Sequence, residues 1–270
     1  MIVLDSARMA KRGWKALRAR GFLAKPNSDD VKIWMRAVRT DGVCVIPGFY
    51  DPTTCAELRR EIENVAERFP GAVHNRSNGA DRRIFGADCA AEGIRAFADE
   101  PQLLNAARTV LGGDATNAFT LAGMIAYREG NLGSGDGWHR DSFFNQFKAI
   151  VYLTDVTAEN GPFEYILGSH LVQQKFSDHA KYGIPLSTSR IENESVSRLA
   201  SAETRRHRVL TASMGTLVLA DTTGIHRGMP LVGGERYALT NYYFPGKSLN
   251  SKTFDHFSPV LGRHIPVSVY

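Results

Sequence analysis

With 270 residues, 43% of them hydrophobic, the chain can bury a full core, and one domain is the simplest count. No apolar run approaches the ~18 residues of a membrane-spanning helix, and the N-terminus lacks the charged-then-apolar order of a secretory signal. The net charge of +5 gathers in residues 1–25, where Arg8, Lys11, Arg12, Lys15, Arg18, Arg20 and Lys25 face only Asp5. The remainder is close to neutral, which argues against a nucleic-acid-binding domain.

Within that basic stretch, residues 7–21 have helical spacing: Ala7, Ala10, Trp14, Leu17 and Gly21 share one face, beside a stripe of Arg8, Lys11, Lys15 and Arg18. Two readings stand. The helix lies peripherally on anionic lipid or grips an acidic partner, or it caps the domain through Trp14 and Leu17 while its charges stay in water. Pro26-Asn27-Ser28 breaks it. A second helix follows, with Val31, Trp34, Met35 and Val38 as its apolar stripe and Gly42 as its stop. Val43 to Ile46 is a short strand, and Asp51-Pro52 predicts an N-cap and first turn for a helix carrying Cys55, Leu58, Ile62, Val65 and Phe69 inward. Residues 70–90 lack periodicity and read as a loop. Its His74, Arg76, Arg82 and Arg83 are solvated charges or part of an active-site rim. A further helix is expected near 100–111, after Asp99.

From Asp114 the pattern changes to strands: 116–127, 146–154, 162–167, 208–211, 215–220 and 235–244. Many strands after a helical first third predict a mainly β (α+β) fold, a double-stranded β-helix (a cupin-like jelly roll) with helices packed from the N-terminal third. Residues 26–270 then form one domain, appended to the basic helix of residues 1–25. Residues 171–207 interrupt the strands with polar, irregular sequence and suit a lid inserted over the barrel mouth. Cys44, Cys55 and Cys89 are odd in number and lack metal-site spacing, which fits a reducing cytoplasm.

The chemistry centres on Trp138-His139-Arg140-Asp141. On an extended backbone alternate side chains share a face, so His139 and Asp141 can reach one metal ion. Far downstream, His226 sits in Gly224-Ile225-His226-Arg227-Gly228, just after the strand Thr216-Leu217-Val218-Leu219-Ala220. Arg236 follows ten residues later on another strand. Two histidines and a carboxylate make the facial triad of non-haem Fe(II), which leaves positions open for a co-substrate and O₂. A nearby arginine suits a bidentate clamp on a carboxylate.

With these residues in place, the chain resembles the phytanoyl-CoA dioxygenase family of Fe(II)/2-oxoglutarate oxygenases from about Asp41 to Phe244. The resemblance also rests on residues 41–49, Tyr152-Leu153-Thr154-Asp155-Val156, Glu159-Asn160-Gly161-Pro162 and Gly168-Ser169-His170. It implies that His139, Asp141 and His226 hold Fe(II) and that Arg236 binds the distal carboxylate of 2-oxoglutarate. On the strand after Asp141, it implies that Lys148 is a second carboxylate contact and Tyr152 a pocket wall, though structural roles remain open for both. His170 looks structural, and Leu167 stands where relatives carry proline. Many relatives place a hydroxyl two residues beyond the distal histidine; here that place is Gly228, so another donor must compensate. The implied reaction joins oxidative decarboxylation of 2-oxoglutarate, to succinate and CO₂, to O₂-dependent hydroxylation of an unactivated C–H bond in a small molecule. Desaturation or cyclisation are variants of it, and the carboxylate of Asp141 argues against halogenation. Two other classes compete: a catalytically silent metal- or ligand-binding jelly roll, and an interaction protein working through its basic helix.

Overall fold

The computed structural model describes residues 28–186, 188–249, 257, 260 and 261. The basic helix expected over residues 7–21, and any lipid contact through it, lie outside the described residues. No described helix is long and apolar enough to cross a membrane.

Helix α1 (Asp29–Asp41) starts where Ser28 Oγ accepts from Val31 N, and stops at Gly42, whose φ of 90° lets its N–H reach Val38 O. Strand β1 (Val43–Ile46) leads to α2 (Pro52–Arg68), where the Asp51 carboxylate accepts from Thr53 N and Thr54 N. The Gly42 stop and the Asp51 cap fall where the sequence puts them. The expected loop at 70–90 is instead a hairpin of β2 (Val73–Arg76) and β3 (Asp81–Phe85). Helices α3 (Glu92–Ala98) and α4 (Pro101–Leu111) follow, the latter capped by Glu100. Then come β4 (Thr116–Ala126), β5 (Phe147–Tyr152) and β6 (Phe163–Ile166). Residues 171–207 contain two helices, α5 (Val172–Tyr182) and α6 (Asn193–Ala202), rather than irregular chain. The chain continues through β7 (His207–Leu210), β8 (Leu217–Asp221), β9 (His226–Gly228) and β10 (Glu235–Phe244).

Seven strands pair in the order β1-β8-β5-β10-β4-β3-β2, and three in the order β7-β6-β9. Two single bridges widen the smaller sheet, His139 pairing with His226 and Arg190 with His139. The two sheets face each other as a jelly roll, the predicted architecture. Strand alternation decides what each face does. From β5, Phe147, Ala149 and Val151 join the main core; from β10, Leu239 and Tyr243 do the same. That core is completed by Val31 and Met35 of α1, Ile62 of α2, Phe97 of α3 and Leu103 of α4. The helices therefore cover the outer face of the large sheet. The intervening residues Lys148, Ile150 and Tyr152 of β5, and Arg236, Ala238, Thr240 and Tyr242 of β10, turn inward to line a cavity between the sheets.

Candidate metal centre and co-substrate pocket

Two backbone hydrogen bonds bring distant parts of the chain to one point. His139 N donates to His226 O at 2.9 Å, and His226 N donates to His139 O at 3.0 Å. Asp141 N donates to Thr222 O at 3.0 Å. The His139-x-Asp141 pair thus sits in extended backbone tied to the smaller sheet by one bridge rather than in a strand of its own. The ligand-capable atoms of His139, Asp141 and His226 lie within 4.8 Å of one another. His139 Nε2 is 3.8 Å from Asp141 Oδ1, and His226 Nε2 is 3.8 Å from Asp141 Oδ2.

The tautomers follow from second contacts. His139 Nδ1 lies 2.8 Å from Gly137 O, and His226 Nδ1 lies 2.9 Å from Gly224 O. A carbonyl only accepts, so both Nδ1 atoms carry the proton and both Nε2 lone pairs face Asp141. Burial pushes the His226 imidazole down to about 3, with the neighbouring His139 adding to the effect. Burial lowers His139 as well. Both rings are therefore neutral donors near pH 7. Burial alone would raise the Asp141 carboxyl, but the charge of Lys148, with the two histidines, holds it well below the usual carboxylate range. Lys148 Nζ lies 2.7 Å from Asp141 Oδ2 as a charge pair without hydrogen-bond geometry, and that oxygen is buried with no hydrogen bond. A soft-edged trio of two neutral nitrogens and one ionised oxygen, with an oxygen lone pair unspent, fits a ferrous ion. Close packing supports it: Gly135, at φ 90°, lies so near that a Cβ there would come within 2.3 Å of His139 Cε1.

The cavity of about 480 Å³ contains all three of these residues together with Arg236, Lys148 and Tyr152. Arg236 is 5% exposed, yet among the described residues it makes no hydrogen bond or ion pair, and burial lowers its pKa. A guanidinium left so is costly unless an anion joins it. Beside it Gly228 has no side chain, and Ser134 fills the space. A Cβ on Gly228 would be 2.7 Å from Ser134 Cβ and 3.2 Å from Arg236 Nη2. Ser134 Oγ accepts from Arg83 Nη2 at 3.1 Å, which leaves its proton free to donate. Where Gly228 lacks a hydroxyl, Ser134 of the glycine loop (residues 130–137) brings one against it, which nothing in the local sequence pattern foretells.

The fold narrows two open points. Lys148 pairs in register with Tyr242, six residues along β10 from Arg236, or about 20 Å at strand rise. It therefore stands at the Asp141 end of the cavity, apart from Arg236. The residue 70–90 segment is also more than solvated charge: Asp81 and Arg83 face the cavity as a close ion pair, and Arg76 stands at its edge. Tyr152 is a wall residue. Its hydroxyl donates to Leu210 O at 3.3 Å and accepts from Phe163 N at 3.2 Å, which leaves the ring to the pocket. His170 lies at the end of α1, its Nε2 3.1 Å from Arg39 O. Arg128, before the glycine loop, bonds Asn78 O at the surface.

Comparison with known proteins adds an independent line. A family model described as phytanoyl-CoA dioxygenase (PhyH) matches residues 38–234. The chain is 25% identical over 224 residues to the ectoine dioxygenase of Bordetella parapertussis, covering 74% of this chain and 69% of that protein. It is 26% identical over 140 residues to the L-proline trans-4-hydroxylase of Streptomyces griseoviridis, a match spanning 48% of this chain but only 51% of that enzyme. Among solved structures, the epimerase SnoN in complex with Fe3+, alpha ketoglutarate and nogalamycin RO superposes with a TM-score of 0.62. At 18% identity over 80% of this chain and 83% of that one, this likeness speaks to the fold.

Proposed function

Since the chain belongs to the phytanoyl-CoA dioxygenase (PhyH) family, an Fe(II)/2-oxoglutarate-dependent oxygenase family, we propose that it hydroxylates an unactivated C–H bond of a small organic molecule through the site described above. His139, Asp141 and His226 would hold Fe(II), and the chemistry supplied when that ion is bound is the coupling of 2-oxoglutarate decarboxylation, to succinate and CO₂, to O₂-dependent oxidation of the substrate.

The protein's own residues prepare this. Gly137 and Gly224 carbonyls orient the two imidazoles so that each presents Nε2. Lys148 keeps Asp141 ionised and in place. At the far end of the cavity, Arg236 supplies the fixed cation for the distal carboxylate, and the Ser134 hydroxyl, held by Arg83, supplies a second donor. The ring of Tyr152 closes the wall between them and excludes water.

The observation that carries this reading is the unpaired, buried guanidinium of Arg236 opening into the same cavity as the triad. Removing one partner of a buried charged pair costs about 2–5 kcal/mol. Arg236→Gln should accordingly weaken 2-oxoglutarate binding roughly thirtyfold or more by anaerobic calorimetry on the Fe(II) protein. Unchanged affinity in that variant would remove the assignment.

A further inference from the structure

We infer that the primary substrate is an organic anion with an apolar body, its charged group held at the cavity mouth by Arg76 and Arg190. The inference rests on the reading above, because it counts the charges that Fe(II) and 2-oxoglutarate leave unmatched.

Six cations contribute to the cavity wall, Arg76, Arg83, Arg140, Lys148, Arg190 and Arg236, against two carboxylates, Asp81 and Asp141. Most of the six are committed. Arg83 is paired with Asp81 and Lys148 with Asp141. Arg236 is taken by the diacid. Arg140 faces Asp178 and Tyr165 rather than the metal side of the cavity and sends Nη1 to Pro185 O, although its Nε and Nη2 are buried without a hydrogen-bond partner among the described residues. Arg76 and Arg190 remain. They arrive from β2 and from the stretch between α5 and α6, and they share one carboxylate, that of Asp136, at 3.6 and 4.0 Å. Two guanidiniums on one acid, at contacts this long, leave a positive charge at the mouth and donors free to turn toward a ligand. Arg190 is further fixed by a bond from Nη1 to Gly135 O and by its backbone bridge to His139. An anion bound there is therefore one side chain away from the metal centre.

The rest of the substrate meets different chemistry. Toward the β10 C-terminal end, the wall is made by Phe85, Leu121, Tyr242, Phe244 and Phe257. Phe85 and Phe257 rings are 5.4 Å apart and Tyr242 and Phe257 rings 5.6 Å apart, a box suited to a ring or acyl chain. A charged mouth level with Asp81 and an aromatic box reaching from Phe85 to the far end of β10 select an elongated, amphipathic anion.

A matched pair of probes tests this on the full chain loaded anaerobically with Fe(II) and 2-oxoglutarate. Anilinonaphthalene sulfonate and N-phenylnaphthylamine share one apolar body and differ by the anionic group. The anion should bind at least tenfold tighter, and the R76Q/R190Q double variant should erase that preference while the neutral probe keeps its affinity. Equal binding of the two probes, no binding of the anion, or a preference that survives the double variant would each overturn the inference. Competition by phenylacetate or by phenyl phosphate then tells a carboxylate head from a phosphate one; displacement by neither also counts against it. The absorbance of the loaded complex is read in the same samples, so failure to take up 2-oxoglutarate would register as failure of the co-substrate assignment, separately from probe binding.

Discussion

The chemistry of the site is set by protonation and pairing of a few single groups. His226 is held neutral down to about 3 by burial, whereas an unfolded chain would titrate it near its ordinary value of 6.5. Between those values the unfolded state binds the extra proton, so the folded state loses stability as pH falls below about 6.5. Metal-free protein should show a urea midpoint that drops from pH 7 to pH 5, with a shallower drop in His226→Asn; identical slopes would contradict the assignment. Arg236 makes the opposite kind of prediction. Its buried charge has no partner among the described residues, so the free protein bears its desolvation. Replacing it with Met should leave the melting temperature of the metal-free protein unchanged or higher while 2-oxoglutarate no longer raises it. A large loss of stability without ligand would mean that Arg236 has a structural partner instead. Sites that give up stability in this way are common where function needs a waiting charge.

At the scale of elements, period-two alternation does most of the positioning. Residues of β5 and β10 that face the helices are apolar apart from Asn241, whose Nδ2 donates to Phe97 O, and their neighbours one step away carry the cavity's polar groups. This made β5, β8 and β10 and the histidine between glycines legible from sequence. The β2–β3 hairpin was hidden for the same physical reason in reverse: Asp81 and Arg83 point inward to each other, so no apolar alternation marks it. Helix α5 was hidden because it buries Lys175 and Asp178, which are satisfied by Phe143 O and Arg206, rather than an apolar stripe. Ser134 could not be assigned because its role depends on a contact across the fold with Gly228. The glycine loop gives its own test. Gly135→Ala adds a methyl both to a left-handed backbone and against the His139 ring, and should lower Fe(II) affinity at least tenfold while the far-ultraviolet circular dichroism stays that of the parent. Parental metal affinity would show that the loop does not fix His139.

For the whole molecule, one sandwich joins a helix-covered face to an interior cavity lined with polar groups. The proposed metal ligands are gripped from two sides: His139 by β9, and its flanking residues by the stretch before α6, where Arg140 N donates to Ser189 O and Ile191 N to Trp138 O. We propose that this stretch, within the residues read from sequence as a lid, forms part of the cavity wall on which substrate choice depends. Loading with Fe(II) and 2-oxoglutarate, each at about a hundred times its dissociation constant, should add roughly 5.4 kcal/mol of stability by mass action, about half from each ligand. Hydrogen exchange should slow in residues 138–141 and 188–191 together, and slowing confined to one of the two would show that they do not act as a unit. The most direct measurement is anaerobic titration of Fe(II) into the protein with 2-oxoglutarate present, followed by visible absorbance. A charge-transfer band saturating at one iron per chain, and lost in Asp141→Ala, is the predicted result; absence of the band in the parent protein, or its persistence in that variant, would contradict an iron centre built from His139, Asp141 and His226.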